Sequence, residues 1–533
     1  MSTLRALPAA FLAALVSATA AAQGSSPLTI PTAAFDAHLR FLADDLLEGR
    51  AIGSRGGRLA AAYIEAVFRS AGLEPGYPGG FREPFAMNAF APDPRASVAW
   101  RLGGTDVVLA PGNDFVATNF GLPAGSLRAR PLFVGYAIAS PRDGWDDFKG
   151  AAIAGRVLIA FANEPGRDDP TRFRGRVLTA HGRWRTKMEL AARRGAAAIL
   201  LVHTDADAGY DWEVVRNSWS GVAYRLADDP AVVPLGGWLR EERARALLAA
   251  AGLDLDELRR RAERPDFAPI EVPLEVGVTA VRSVRPVAGA NVVGVLPGRS
   301  PVAVLLSAHY DHFGIAREID GDAIYNGAVD NGTALATLLA LAQAYGRTPR
   351  DSRPTLVFAA VDAEEEGLLG STAYARRPAV PLPQTLAAIN FEMSNAWGRT
   401  RDVVAIGAQH STLGELLGVV LARAGLRLAP EPVPEQGYFF RSDQYAFAQA
   451  GVPAIWLDGG SDFENRPAGW GDGVRRAYRD EDYHQPTDEV KPGFDLAGLA
   501  QLAEVTSTLI AEIAARGRVD WLPASEFTSP WLR

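Results

Sequence analysis

The 533-residue chain contains no cysteine. That excludes disulfides, thiol nucleophiles, iron–sulfur clusters and thiolate-ligated zinc, so any metal must be held by His, Asp or Glu. Histidine is scarce as well, with seven residues, which keeps the list of nitrogen ligands short. Lysine is nearly missing: Lys149, Lys187 and Lys491 stand alone among 54 basic residues, a compositional bias rather than a binding signal. The formal charge of -8 is thinly spread and argues against nucleic acid or an anionic membrane as a main partner. No run beyond the N-terminus is apolar enough to span a bilayer. What the chain does have is core material, with 48% hydrophobic and 22% charged residues.

At roughly 150 residues per domain the length suggests three or four units. Residues 1–22 read as an export signal, with Arg5 as the only charge, an apolar run from Ala6 through Val16, and Ala20-Ala21-Ala22 before Gln23. The mature protein is therefore expected to be soluble and periplasmic or secreted. Residues 35–74 show helical periodicity around a glycine-rich loop at 53–57. From 96 to 285 the texture becomes a mostly-β module with a few helices and long polar loops at 163–176 and 203–216. From 286 onward, apolar strands alternate with helices, which predicts an α/β domain whose mixed sheet is covered on both faces.

Five element ends then deliver His, Asp or Glu. The run Val302–Ser307 leads into His309-Tyr310-Asp311-His312; a His and an Asp two apart suit a metal ligand with a carboxylate that orients its ring. Asp330 lies in the glycine-bracketed turn Asn326–Thr333 before a helix, where it also makes a good cap. The run Thr355–Val361 leads into Glu364-Glu365-Glu366-Gly367, where crowded acids need cations or protons. Glu392 follows Leu386–Phe391, and His484 lies in a proline-bounded loop before the last helix. Two histidines, three carboxylates and one further acid match a pair of divalent metals bridged by one carboxylate, with a neighbouring base.

This order of motifs resembles the zinc-dependent exopeptidases of the aminopeptidase and glutamate carboxypeptidase family. The Glu364-Glu365-x-Gly367-Leu368-x-Gly370-Ser371 stretch is its most specific part, supported by Leu46–Arg50, Arg441-Ser442-Asp443 and Gly451–Ala454. The resemblance implies two zinc ions bridged by Asp330. His309 and Glu392 complete one, and Glu365 and His484 the other. It makes Glu364 the general base for a metal-bridging water, puts Asp311 behind His309, and implies a cis peptide at Asp330-Asn331. The position of Glu392 is more usually aspartate, and Gln444 stands where the family often has histidine. Either Tyr438 or Tyr483 is the oxyanion donor. Gly144–Gly150 and Ala191–Ala196 resemble a protease-associated domain inserted at 96–285. The peptidase domain then comprises 23–95 and 286–533, a three-layer α/β/α fold.

The expected function is an exported zinc aminopeptidase acting on peptides or amino-acid amides. The alternatives are a carboxypeptidase or dipeptidase, an amidohydrolase or glutaminyl cyclase on the same scaffold, or an inactive receptor-like binding protein. His312 is expected outside the ligand set, and His38, His181, His203 and His410 are expected to be structural. Gly182-Arg183-Trp184-Arg185 reads as a packed loop, and Trp212 and Trp219 as core or cleft residues.

Overall fold

Three neighbouring strands decide where the chemistry sits. They are β4 (Ala303–His309), β5 (Thr355–Val361) and β6 (Thr385–Asn390). β4 and β5 are buried along their whole length, as parallel strands covered on both faces must be. The computed structural model describes residues 27–528 other than 93–96, 103, 118–123, 220 and 230–232. The predicted export signal lies outside the described residues.

The main sheet also holds β1 (Arg82–Pro92), β2 (Ala223–Leu226), β3 (Glu275–Leu296), β7 (Asp402–Ile406), β8 (Arg427–Ala429) and β9 (Ala454–Gly459). Its order is β2-β1-β3-β5-β4-β6-β9-β7-β8. β5, β4, β6 and β9 run parallel, while β3 joins β5 and β7 joins β9 in antiparallel fashion. One face is covered by helices Thr32–Leu42, Arg55–Ser70, Ala334–Gly346, Leu413–Arg423 and Ala497–Arg516, which share a core with Val304, Leu306 and Phe358. The other face packs Leu305, Val357 and Val361 against helices Leu369–Arg376 and Gln444–Gln449 through Tyr374 and Phe447. This is the three-layer α/β/α arrangement expected of the sequence. Among the described residues no helix is long and apolar enough to cross a membrane.

A second sheet lies between β1 and β3 in the chain. Its order is Ile270–Glu271, Pro131–Phe133, Val157–Phe161, Ala198–His203, Leu235–Arg240 and Phe115–Ala117. The middle four strands are parallel, and helices such as Trp184–Arg193 and Glu241–Ala250 accompany them. The stretch 203–216, expected as loop, holds the helix Asp205–Ala208 and the start of Trp212–Trp219. Trp212 is core: its indole is buried and donates to the Gly112 carbonyl. The side chain of Trp219 lies outside the described residues.

Candidate metal centre

Parallel strands place their C-terminal ends side by side, and a sheet of this kind collects its functional groups there. β5, β4 and β6 are consecutive in the sheet, so their ends deliver Glu364 and Glu365, His309, and Glu392 to one place. His309 closes β4 and is 1% exposed. Its Nε2 lies 3.0 Å from Glu392 Oε1 and 3.3 Å from Asp330 Oδ1. Its Nδ1 faces Asp311, 3.1 Å from the carbonyl and 3.6 Å from Oδ1. Asp311 also accepts from the backbone N–H of Glu364 (3.0 Å) and of Glu365 (3.3 Å). One carboxylate thus orients both the imidazole and the glutamate turn.

Asp330 lies in the turn before helix Ala334–Gly346, and its bond to Asn331 is cis. Its two oxygens face different histidines: Oδ1 faces His309, and Oδ2 lies 3.2 Å from His484 Nε2. His484 Nε2 is also 3.5 Å from Glu365 Oε2. The His484 ring stacks on Tyr483 at 3.7 Å and meets Phe313 edge-on at 4.5 Å. All seven residues singled out in the sequence therefore converge.

The donor set fits divalent cations. Three groups bring ligand atoms within 4.8 Å of one another: His309, Asp330 and Glu392; His309, Glu364 and Glu365; and His312, Asp330 and Glu365. The Nε2 atoms of His312 and His484 are buried without a hydrogen-bond partner. Burial pushes Glu364 and Glu365 well above the ordinary carboxylate range; Glu392 adds to this at Glu364, and Asp330 and Glu364 add to it at Glu365. Crowded acids beside orphaned imidazole nitrogens are the chemistry of a cation site.

The sequence profile described as peptidase family M28 matches residues 291–510, the stretch that carries β4, β5, β6 and all seven residues. The chain carries a peptidase family M28 domain. The enzyme is a metallopeptidase. Among solved structures, an aminopeptidase from Aneurinibacillus sp. strain AM-1 is similar at TM-score 0.52 and 18% identity, over 94% of this chain and 97% of that one. BSAP, a zinc aminopeptidase from Bacillus subtilis, has TM-score 0.44 and 16% identity over 91% and 95% of the two chains. A peptidase M28 precursor from Shewanella amazonensis SB2B has TM-score 0.43 and 20% identity over 91% and 93%. At 18% identity the first likeness is one of fold. No curated protein sequence matches the chain.

Around the M28 centre lie residues that the sequence reading left out or placed elsewhere. His312 lies against the cluster, with Nδ1 2.7 Å from Glu365 Oε1. Its adjacency to Asp311 was the available signal. Ser442 donates to Glu392 Oε2 at 2.7 Å, so the longer arm of glutamate at this position is held at both oxygens. Gln444 is buried and ties Asn390 to the carbonyls of Tyr438 and Phe439, a framework role where the family often has histidine. Asp488 accepts from the backbone N–H of Val329 (2.9 Å) and Asp330 (3.0 Å), fastening the His484 loop to the Asp330 turn.

A cavity of about 290 Å³ opens over the M28 centre. Glu364, Glu365 and His484 line its floor, and Arg185, Tyr210 and Trp238 of the second sheet's segment line its wall. Arg185 reaches across to donate to the Gly367 carbonyl at 2.8 Å. Arg183, Trp184 and Arg185, expected in a packed loop, instead lead into a helix and border the cavity. His38, His181, His203 and His410 are buried away from it.

Proposed function

We propose that the chain is an exported dinuclear zinc exopeptidase that removes residues from the amino terminus of peptides or hydrolyses amino-acid amides. One observation carries this reading: Asp330 presents each of its oxygens to a different histidine, His309 and His484. A carboxylate so divided is placed to serve two ions. His309, Asp330 and Glu392 would hold one zinc, and Asp330, Glu365 and His484 the other. Zinc supplies polarisation of the scissile carbonyl and a stronger water nucleophile when bound.

The chain's own residues handle the proton and the geometry. Glu364 takes a proton from the attacking water and returns it to the leaving amine; its raised pKa brings it closer to the working pH, as a proton carrier needs. Asp311 holds both the His309 ring and the backbone of Glu364 in register. Tyr483 is the better placed oxyanion donor. Burial, together with Asp330 and Glu365, keeps its phenol protonated and able to donate. Tyr438 packs against Trp456 and Arg441.

The segment between β1 and β3 is a protease-associated domain that walls the cleft and limits which peptides enter. The sequence of Gly144–Gly150 and the cavity-lining Arg185 and Tyr210 support this. Amino-terminal cleavage is favoured by the fold shared with an aminopeptidase. Export follows from the sequence of residues 1–22.

Elemental analysis combined with a screen of N-blocked and C-blocked peptides tests the reading. Two zinc ions per chain and loss of turnover on N-blocking are expected. Turnover of metal-free protein, or indifference to the free amine, would refute it.

A further inference from the structure

Arg50 is the only residue whose side chain touches both backbone segments that carry His309 and Asp330, among the described hydrogen bonds. It ends a tight turn in which Glu48, Gly49 and Arg50 all have positive φ, at 50°, 65° and 55°. Gly49 is required there: a Cβ would lie 2.5 Å from the Tyr325 carbonyl and 2.7 Å from that of Gly314. The turn is thus wedged against both ends of the hairpin that separates the His309 loop from the Asp330 turn, which drives Arg50 inward to 1% exposure.

The buried guanidinium has no carboxylate partner among the described ion pairs, and its donors all go to carbonyls. Nε donates to Tyr310 O at 2.8 Å and Nη2 to Gly327 O at 3.1 Å. Nη1 donates to Leu42 O and Asn326 O. Tyr310 stands between His309 and Asp311, and Asn326-Gly327 open the turn that ends in Asp330. The planar fork therefore spans the gap between the two segments. Lysine, a point charge with a flexible stem, cannot reproduce that fork.

We propose that Arg50 is a positioning residue whose guanidinium sets the separation of the His309 and Asp330 segments and thereby the affinity for a divalent cation. This rests on the metallopeptidase reading above. The test uses full-length protein stripped by chelation, with zinc affinity measured by competition against a chromophoric chelator and unfolding followed with and without zinc. Arg50→Lys should weaken zinc binding by about 10- to 100-fold, the range for residues that orient metal ligands. The zinc-induced rise in Tm should shrink, and excess zinc should recover turnover. Zinc affinity within twofold of the parent, with only the zinc-free Tm lowered, would show a merely structural role and overturn the proposal. Should Arg50→Lys fail to fold, Arg50→Ala is measured with added guanidinium ion. Restored zinc affinity supports the proposal, and none counts against it. If the parent protein itself binds no zinc, the metal reading falls along with it.

Discussion

At the ends of β4, β5 and β6 the chain buries Asp330 and Glu392 beside the partly buried Glu364 and Glu365. Around Lys187, in the segment of the second sheet, it buries Asp147 and Glu164 as deeply. The surroundings differ in kind. Asp147 accepts from the backbone N–H of Tyr136 and Ile138 and from the Trp145 indole. Glu164 accepts from the Thr179 N–H and hydroxyl. The Lys187 ammonium sits among them and donates to the Tyr136 carbonyl at 2.5 Å. Each carboxyl oxygen there has a donor from the protein. At the strand ends the acids instead crowd one another, and the Nε2 atoms of His312 and His484 beside them lack hydrogen-bond partners. Buried acid is thus no signature of function by itself; the deciding feature is whether the protein supplies the compensating donors.

The sharpest way to break this contrast is Glu364→Gln. Turnover should fall by about 10²- to 10⁴-fold in kcat while metal content stays at the parent level, since the change removes a proton carrier and leaves the ligands. Retained kcat would mean that Glu364 belongs with the structural acids. Next in size is Lys187→Met, which leaves the Tyr136 carbonyl unanswered and two acids without their cation. Chemical denaturation should show a loss of about 1–3 kcal/mol in stability, with unchanged kcat per folded molecule. A kcat defect without destabilisation would reverse the assignment of that cluster.

The smallest effect concerns pH. Burial pushes Glu164 up to about 8 from an ordinary 4.5. The folded state therefore holds this proton more tightly than the unfolded chain. Its contribution to stability is full below about 4.5 and is lost as pH rises through about 8. Glu164→Gln should flatten the decline of Tm across that window. An unaltered Tm profile would show that Glu164 carries no such proton.

Much of the peptidase fold was legible because β4, β5 and β6 are unbroken apolar runs that end in His, Asp or Glu, and strand ends in such sheets converge. β3 was not legible as one strand: glycines at 277, 289 and 294 and Pro286 interrupt its pattern, and its pairing with β1 is settled by distant partners. The candidate ligands could be read because their chemistry is in their side chains. Arg50, Ser442 and Asp488 could not, because they act by touching carbonyls up to 277 residues away, a carboxylate 50 residues away and amides 158 to 159 residues away in sequence. Glu392 stands where aspartate is more usual, and Ser442 holds its second oxygen.

The antiparallel ladder between β1 and β3 sets Ala91 opposite Ser283. The chain therefore leaves β1 and rejoins it through β3 at one spot, after nearly two hundred residues that also contribute the edge strand β2. A short hairpin turn could close the same two strands in the same register. The cleft wall is in this sense a cassette: its length and shape can be redrawn through generations of insertion and deletion, or by graft, while the strands that carry the ligands keep their pairing. A scaffold with such a doorway can change what it admits without relearning how it cuts.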